Sequence, residues 1–286
     1  MTKMITVAGE QVPVLGQGTW KMGDSPSRRD SEVTALRTGI ELGMTLIDTA
    51  EMYGSGRSEQ LVGEAIRGRR DDVYLVSKVM PSNASRRGTI RACDASMRRL
   101  GTDHLDLYLL HWEGRHPLAE TVEAFEELRR TGKIRAWGVS NFDRDRLREV
   151  TEIARAGHRR DPERQNRPAT NQVLLNLESR WSETGLLDDQ LALDVPLMAY
   201  SPIGEGGLAR SRALASVAAR HRVTAAQVAL SWVISRPGVF AIPKASSEAH
   251  VRENAAAADI RLTADDLAEL DAAFPKPDDD APLELI

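Results

Sequence analysis

Short apolar runs, each closed by a polar residue and followed by a helical pattern, recur down this 286-residue chain. They are TLID to Asp48, VYLVSK to Lys78, LDLYLLH to His111, AWGVSN to Asn141, PATNQ to Gln172, PLMAY to Tyr200 and VFAIPK to Lys244. From Asp48 to Tyr200 the closing residues are spaced by 30, 33, 30, 31 and 28, about one strand plus one helix each time. Two helical stretches, SRALASVAARH and TAAQVALSWVISRPG, fill the longer gap before Lys244. With VLGQGTW at the start there are eight runs, the number a closed parallel barrel of about 250 residues uses, whereas an open doubly wound sheet more often uses fewer. The expectation is an α/β fold, a (β/α)8 TIM barrel forming a single domain over residues 1–286. MITVAGEQVPVLG reads as an N-terminal β-hairpin about a Gly-Glu turn, capping the bottom of the barrel.

The connecting segments SEVTALRTGIELG, RSEQLVGEAIRG, SRRGTIRACDASMRRLG and LAETVEAFEELRRTG carry apolar residues at spacings of three and four, with glycine near their ends, as amphipathic helices do. The net charge of −4 offers no field for nucleic acid or an anionic membrane, and neither is expected as a partner. Arg159 to Arg167 alternates with Asp161 and Glu163 and reads as a solvated loop on the bottom face, as the acidic tail at Asp278 to Asp280 reads as solvated. The single cysteine, Cys93, forms no internal disulfide, and no signal segment or long apolar run stands out, so a cytoplasmic protein is expected.

In a (β/α) barrel the C-terminal strand ends converge on the mouth, where active sites are built. That places Asp48 with Tyr53 just beyond it, Lys78, His111, Ser140, Asn141, Gln172, Tyr200 and Lys244 together. No serine or cysteine has an evident base partner, and the six histidines are scattered, so neither nucleophilic hydrolysis nor a metal site is expected. Proton transfer by a phenol remains. A lysine ammonium at about 4 Å favours phenolate by up to ~4 kcal/mol, or ~3 pKa units, at an effective dielectric of 20, which brings Tyr53 toward neutral pH. Asp48 fixes and partly neutralises Lys78, and His111 hydrogen-bonds the phenol or a substrate oxygen. This suits a carbonyl whose oxygen becomes an alkoxide. The amides of Asn141 and Gln172 with Ser140 fit a carboxamide, and Tyr200 offers a face for a flat ring, together the shape of a nicotinamide. The dinucleotide fingerprint is absent: Gly204, Gly206 and Ala209 match its looser spacing without an acidic residue about 20 positions on, although the SPIGEGG loop offers backbone amides to a pyrophosphate.

DTAEMYGSG, VSKV, LYLLHW, GKIRAWGVSN, TNQV, AYSPI and IPKA, taken in order, resemble the aldo-keto reductase superfamily over almost the whole chain, most closely its short bacterial members that reduce methylglyoxal and related 2-oxoaldehydes. The resemblance implies an NADPH-dependent barrel with Asp48, Tyr53, Lys78 and His111 as catalytic tetrad and Tyr53 as proton donor. It implies that Ser140, Asn141 and Gln172 hold the carboxamide, that Tyr200 stacks on the nicotinamide, and that Gly18, Thr19, Ser201 and Ile203 lie along the coenzyme. Trp20 and Trp112 match substrate-pocket positions. Lys244, Ser247, Glu253 and Asn254 match the 2′-phosphate and adenine contacts, with His250 at the family's usual arginine and Ala245 at its usual serine. NADPH is therefore the expected coenzyme, with NADH weaker. Only four residues separate Trp112 from Pro117, and the chain ends about a dozen residues after Phe274, so an open mouth for small aldehydes and ketones is expected. The alternative function is a coenzyme-binding accessory subunit with little turnover.

Overall fold

A computed structural model describes residues 3–204, 208, 211–278 and 283–285. Strands β1 (Met4–Val7) and β2 (Glu10–Pro13) form the hairpin, with Val7 opposite Glu10. The turn is thus Ala8-Gly9 and not the Gly-Glu expected, because both residues take positive φ, 48° and 87°, the turn geometry whose twist matches paired strands. Val7 and Val12 are fully buried, and the Glu10 charge acts on Tyr74, the first residue of a barrel strand, so the hairpin covers the N-terminal rim.

Eight parallel strands follow: β3 (Gln17–Gly18), β4 (Leu46–Asp48), β5 (Tyr74–Val79), β6 (Leu105–Leu110), β7 (Ile134–Ser140), β8 (Asn171–Leu174), β9 (Leu197–Tyr200) and β10 (Val239–Ala241). Each pairs with the next in sequence. The ring closes between β10 and β3, where Gly16 N–H donates to Ala241 O (2.8 Å), Ala241 N–H to Val14 O (2.8 Å) and Gly18 N–H to Pro243 O (3.1 Å). At that seam a Cβ on Gly18 would lie 2.6 Å from the Ile242 carbonyl oxygen, so the close approach of the two backbones requires glycine there. Strands β5 and β6 are buried at every residue, as expected where one face meets the barrel interior and the other a helix.

The α-helices are α1 (Arg29–Glu41), α2 (Arg57–Ala65), α3 (Arg86–Leu100), α4 (Leu118–Arg130), α5 (Arg144–Arg160), α6 (Leu186–Ala192), α7 (Arg212–His221), α8 (Ala225–Ile234), α9 (Glu248–Ala256) and α10 (Ala264–Ala273). Their starts are capped by side chains where the sequence supplies them: Ser85 accepts from Gly88 N–H, Asp143 from Arg146 N–H, and Thr224 forms a reciprocal box with Gln227. The outer layer docks through large apolar contacts, such as Phe125 of α4 stacked on Trp137 of β7 at 5.7 Å between centroids. The segment after α5 leads to the start of β8, and its two arginines are paired, Arg164 with Glu123 and Arg167 with Asp194. No described helix is long and apolar enough to cross a membrane. Residues 205–207 of the SPIGEGG loop, Ala209, and Asp279 and Asp280 of the acidic tail lie outside the described residues.

Candidate active site

Lys78 is completely buried on β5, and each of its three ammonium hydrogens has an acceptor: Asp48 Oδ2 at 2.7 Å, the Thr49 carbonyl at 2.8 Å and Tyr53 Oη at 3.1 Å. An ammonium has three donors and no acceptor, so the Tyr53 oxygen receives a hydrogen bond and keeps its own proton for another partner. Asp48 ends β4, and the chain after it turns back through Gly54, Ser55 and Gly56, all at positive φ, which sets Tyr53 over the barrel mouth. His111, one residue past β6, meets Tyr53 edge-on at 5.7 Å between ring centroids.

The electrostatics follow from burial. Burial works against charge on Lys78, but Asp48 and Tyr53 outweigh it and hold the ammonium above its usual range. Burial raises the Asp48 carboxyl, opposed by Lys78 and by a hydrogen bond from Gln172. For Tyr53 burial again dominates and lifts the phenol above its usual value in spite of Lys78. The sequence-based expectation of a phenol titrating near neutrality is therefore corrected: a Coulomb argument alone omits the cost of a buried phenolate. The His111 imidazole is pushed down to about 2 by burial and then by Lys78, so it is neutral. Its Nδ1 is buried without a hydrogen-bond partner; an orphan acceptor costs less than an orphan N–H, which favours the tautomer with hydrogen on Nε2.

Beside this group lies a cavity of about 300 Å³. Its walls include Asp48, Tyr53, His111, Trp20 and Trp112 on one side and Ser140, Asn141, Gln172, Tyr200, Ser201 and Ile203 on the other, with Gly18, Thr19 and Lys244 along the β3–β10 seam. Lys78 stands behind the wall. Asn141 follows β7 with φ of 61°, a left-handed turn held by Asn171, whose side chain bonds both the N–H and the carbonyl of Phe142. Asn141 Nδ2 donates to the His111 carbonyl (3.1 Å) and Ser140 Oγ (3.2 Å), and its Oδ1 accepts from Tyr200 Oη (3.0 Å). Tyr200 is thereby held at the wall by its hydroxyl with its ring among the cavity-lining groups. The Thr19 hydroxyl is committed to the Asp48 carbonyl and to Ser58, so that residue fixes the end of β4 and offers the cavity little more than its surface.

The cavity does not reach the remaining expected residues. Ser247 caps α9, accepting from His250 N–H, and His250 itself is exposed on the first turn. The Glu253 carboxylate is engaged by the Thr224 hydroxyl at the start of α8, and Asn254 is buried. At the seam, burial, with Arg28 and Lys21 nearby, lowers the Lys244 ammonium from its usual value, against the pull of Glu32. Three cations thus lie near one another, a grouping that sequence separation concealed. Other groups missed in the sequence are Met52, Pro202 and Ile242, which line the cavity, and Asn171 and the Thr49 carbonyl, which hold its parts in place. A backbone carbonyl has no sequence signal, and Asn171 is distinguishable only as a second amide beside Gln172.

The comparisons agree with this architecture. The chain is 49% identical over 290 residues to methylglyoxal reductase YeaE of Escherichia coli, covering 99% of each chain. It is 33% identical to glyoxal reductase of Bacillus subtilis, covering 92% of this chain and 90% of that one. Among solved structures, an aldo-keto reductase from Klebsiella pneumoniae in complex with NADPH superposes with a TM-score of 0.94 at 46% identity, covering all of both chains. The Aldo/keto reductase family model matches residues 14–274, from the first barrel strand to the end of α10. A closed eight-stranded barrel with a buried lysine against a phenol at its mouth therefore has its place: the chain belongs to the aldo/keto reductase family.

Proposed function

We propose that this protein reduces small aldehydes and ketones, 2-oxoaldehydes such as methylglyoxal first among them, to alcohols with NADPH, and that Tyr53 supplies the proton. The observation that carries the reading is the threefold hydrogen bonding of Lys78, which leaves the Tyr53 O–H directed away from the ammonium. A neutral phenol next to a fixed cation is an acid whose conjugate base is stabilised as it forms, which is what an alkoxide-producing step needs. His111, neutral with hydrogen on Nε2, orients the carbonyl oxygen toward Tyr53. Trp20 and Trp112, each more than a third exposed, provide flat apolar walls for a small substrate.

The residues present fit a nicotinamide coenzyme. Ser140 and the oxygen of the Gln172 amide are at hand for a carboxamide, Tyr200 provides an aromatic wall, and Lys244 with the capped start of α9 suits the 2′-phosphate. When bound, NADPH supplies the hydride. NADH is accepted more weakly for lack of the phosphate. Ser247, His250, Glu253 and Asn254 are assigned to the adenosine end, Gly18, Thr19, Ser201 and Ile203 to its path along the seam. The accessory-subunit alternative is not favoured, since the relatives named above are reductases. The lone Cys93 thiol, raised to about 12 mainly by burial, is unreactive, and a cytoplasmic setting is part of the proposal. The test is a panel of aldehydes and ketones assayed with NADPH and NADH: methylglyoxal-type substrates turned over repeatedly with NADPH support the reading, and a single-turnover or inert protein refutes it.

A further inference from the structure

Strands β4 and β8 stand four places apart in either direction around the eight-stranded ring, yet Gln172 Nε2 donates to Asp48 Oδ1 across the interior at 2.7 Å. Asp48 is 1% exposed, and its other oxygen accepts from Lys78 at the same distance. An ionised carboxylate only accepts, so the nitrogen of the Gln172 amide must face it, and the network itself fixes which way the amide points. The second Nε2 hydrogen is directed at Met198 Sδ, 2.7 Å away. With both hydrogens committed inward, the amide oxygen is what Gln172 has left for the cavity it lines.

We propose that Gln172 is a positioning residue for the proton donor: by occupying Asp48 Oδ1 it keeps that carboxylate ionised and fixed as the anchor of Lys78, and so holds the ammonium against Tyr53. This rests on the reading of Tyr53 as the donor and of Gln172 as a coenzyme contact, and goes beyond both. One planar amide joins the two tasks. A donor arriving on its oxygen polarises the group and makes Nε2–H a stronger donor to Asp48. Coenzyme binding and Asp48 ionisation are then linked, and the linkage is reciprocal. The titratable groups facing Asp48 are Lys78 from β5 and Tyr53 from the turn after β4, with His111 beyond Lys78 at the end of β6.

Two variants of the full chain test this. Gln172→Met keeps the length and removes both polar functions. Gln172→Glu keeps an oxygen toward the cavity but sets a second carboxyl against Asp48. The readouts are kcat against pH at saturating NADPH with methylglyoxal, the NADPH Kd against pH from quenching of tryptophan fluorescence, and the melting temperature. Loss of a hydrogen bond to a charged group raises the Asp48 pKa, so in Gln172→Met the acid limb of both profiles moves up by about one to two pH units. In Gln172→Glu two carboxyls share a proton and the limb moves at least as far. If Gln172→Met does not fold, the Glu variant decides by the same limb. If both variants change the NADPH Kd alone and keep the parent's kcat profile at saturating coenzyme, Gln172 is a coenzyme contact and the proposal is overturned. Tyr53→Phe, assayed alongside, separates the levels: full activity there removes the donor assignment and this proposal with it, whereas inactivity there with unshifted Gln172 variants removes only the positioning role.

Discussion

Lys78 Nζ lies 3.1 Å from Tyr53 Oη, and its other two hydrogens are held by Asp48 and Thr49, so the ammonium cannot turn away from the phenol. This contact joins two strands and a turn: β5 supplies the cation, β4 its counter-charge, and the left-handed Gly54-Ser55-Gly56 segment the phenol's approach. Burial keeps the phenol protonated until a partner arrives, and the cation lowers the cost of releasing the proton.

Lys78→Met keeps bulk and removes charge, leaving the buried Asp48 without its cation. Breaking a buried pair in this way costs about 3–5 kcal/mol, which chemical denaturation should register. Reduction should fall by at least ~10²-fold as the stabilised acid is lost.

His111 is buried neutral, with its pKa near 2 against the ordinary 6.5, and this has a consequence for stability. The unfolded chain binds the proton that the folded chain refuses, so the contribution is full above about pH 6.5 and is lost as pH falls toward 2. Between pH 7 and pH 5 the parent should lose about 2 kcal/mol more than His111→Gln, measured by urea unfolding. For the same reason, no break near pH 6.5 in kcat/KM should disappear in that variant.

The seam between β3 and β10 admits no side chain at Gly18. Gly18→Ala forces a Cβ to within 2.6 Å of the Ile242 carbonyl oxygen, and neither group is a flexible side-chain end. Overpacking of this kind costs about 1–3 kcal/mol, so the melting temperature should drop. A parent-like Tm would show that the closure yields more easily than its hydrogen bonds suggest.

Lys244 faces the cavity at the same seam, with Lys21 and Arg28 nearby. A charge-assisted contact to the 2′-phosphate contributes about 1.5–3 kcal/mol, so Lys244→Ala should raise the NADPH Kd by roughly 10- to 150-fold and the NADH Kd much less. Equal increases for the two coenzymes would remove the phosphate role.

Much of this is legible in the sequence alone. The thirty-residue spacing from Asp48 to Tyr200 survives as successive strands because a parallel sheet must spend a helix between each pair, and the polar residues closing the runs meet because all parallel strands end at one face. What was not legible depends on distances. Strand β8 runs two residues past the expected end at Gln172, since Val173 and Leu174 remain paired with β9, and Gln172 reaches Asp48 from within the strand. The hairpin turn was misplaced by one residue, because Ala8 at positive φ has no sequence signature of its own. The burial that raises the Tyr53 phenol is not written in its neighbours along the chain.

The central claim, that Tyr53 delivers the proton, is tested most directly by Tyr53→Phe, which removes the hydroxyl and keeps the ring. With methylglyoxal and saturating NADPH, kcat should fall by about 10²- to 10⁴-fold while the NADPH Kd stays within about twofold of the parent. Reduction at the parent rate by the Phe variant would contradict the account.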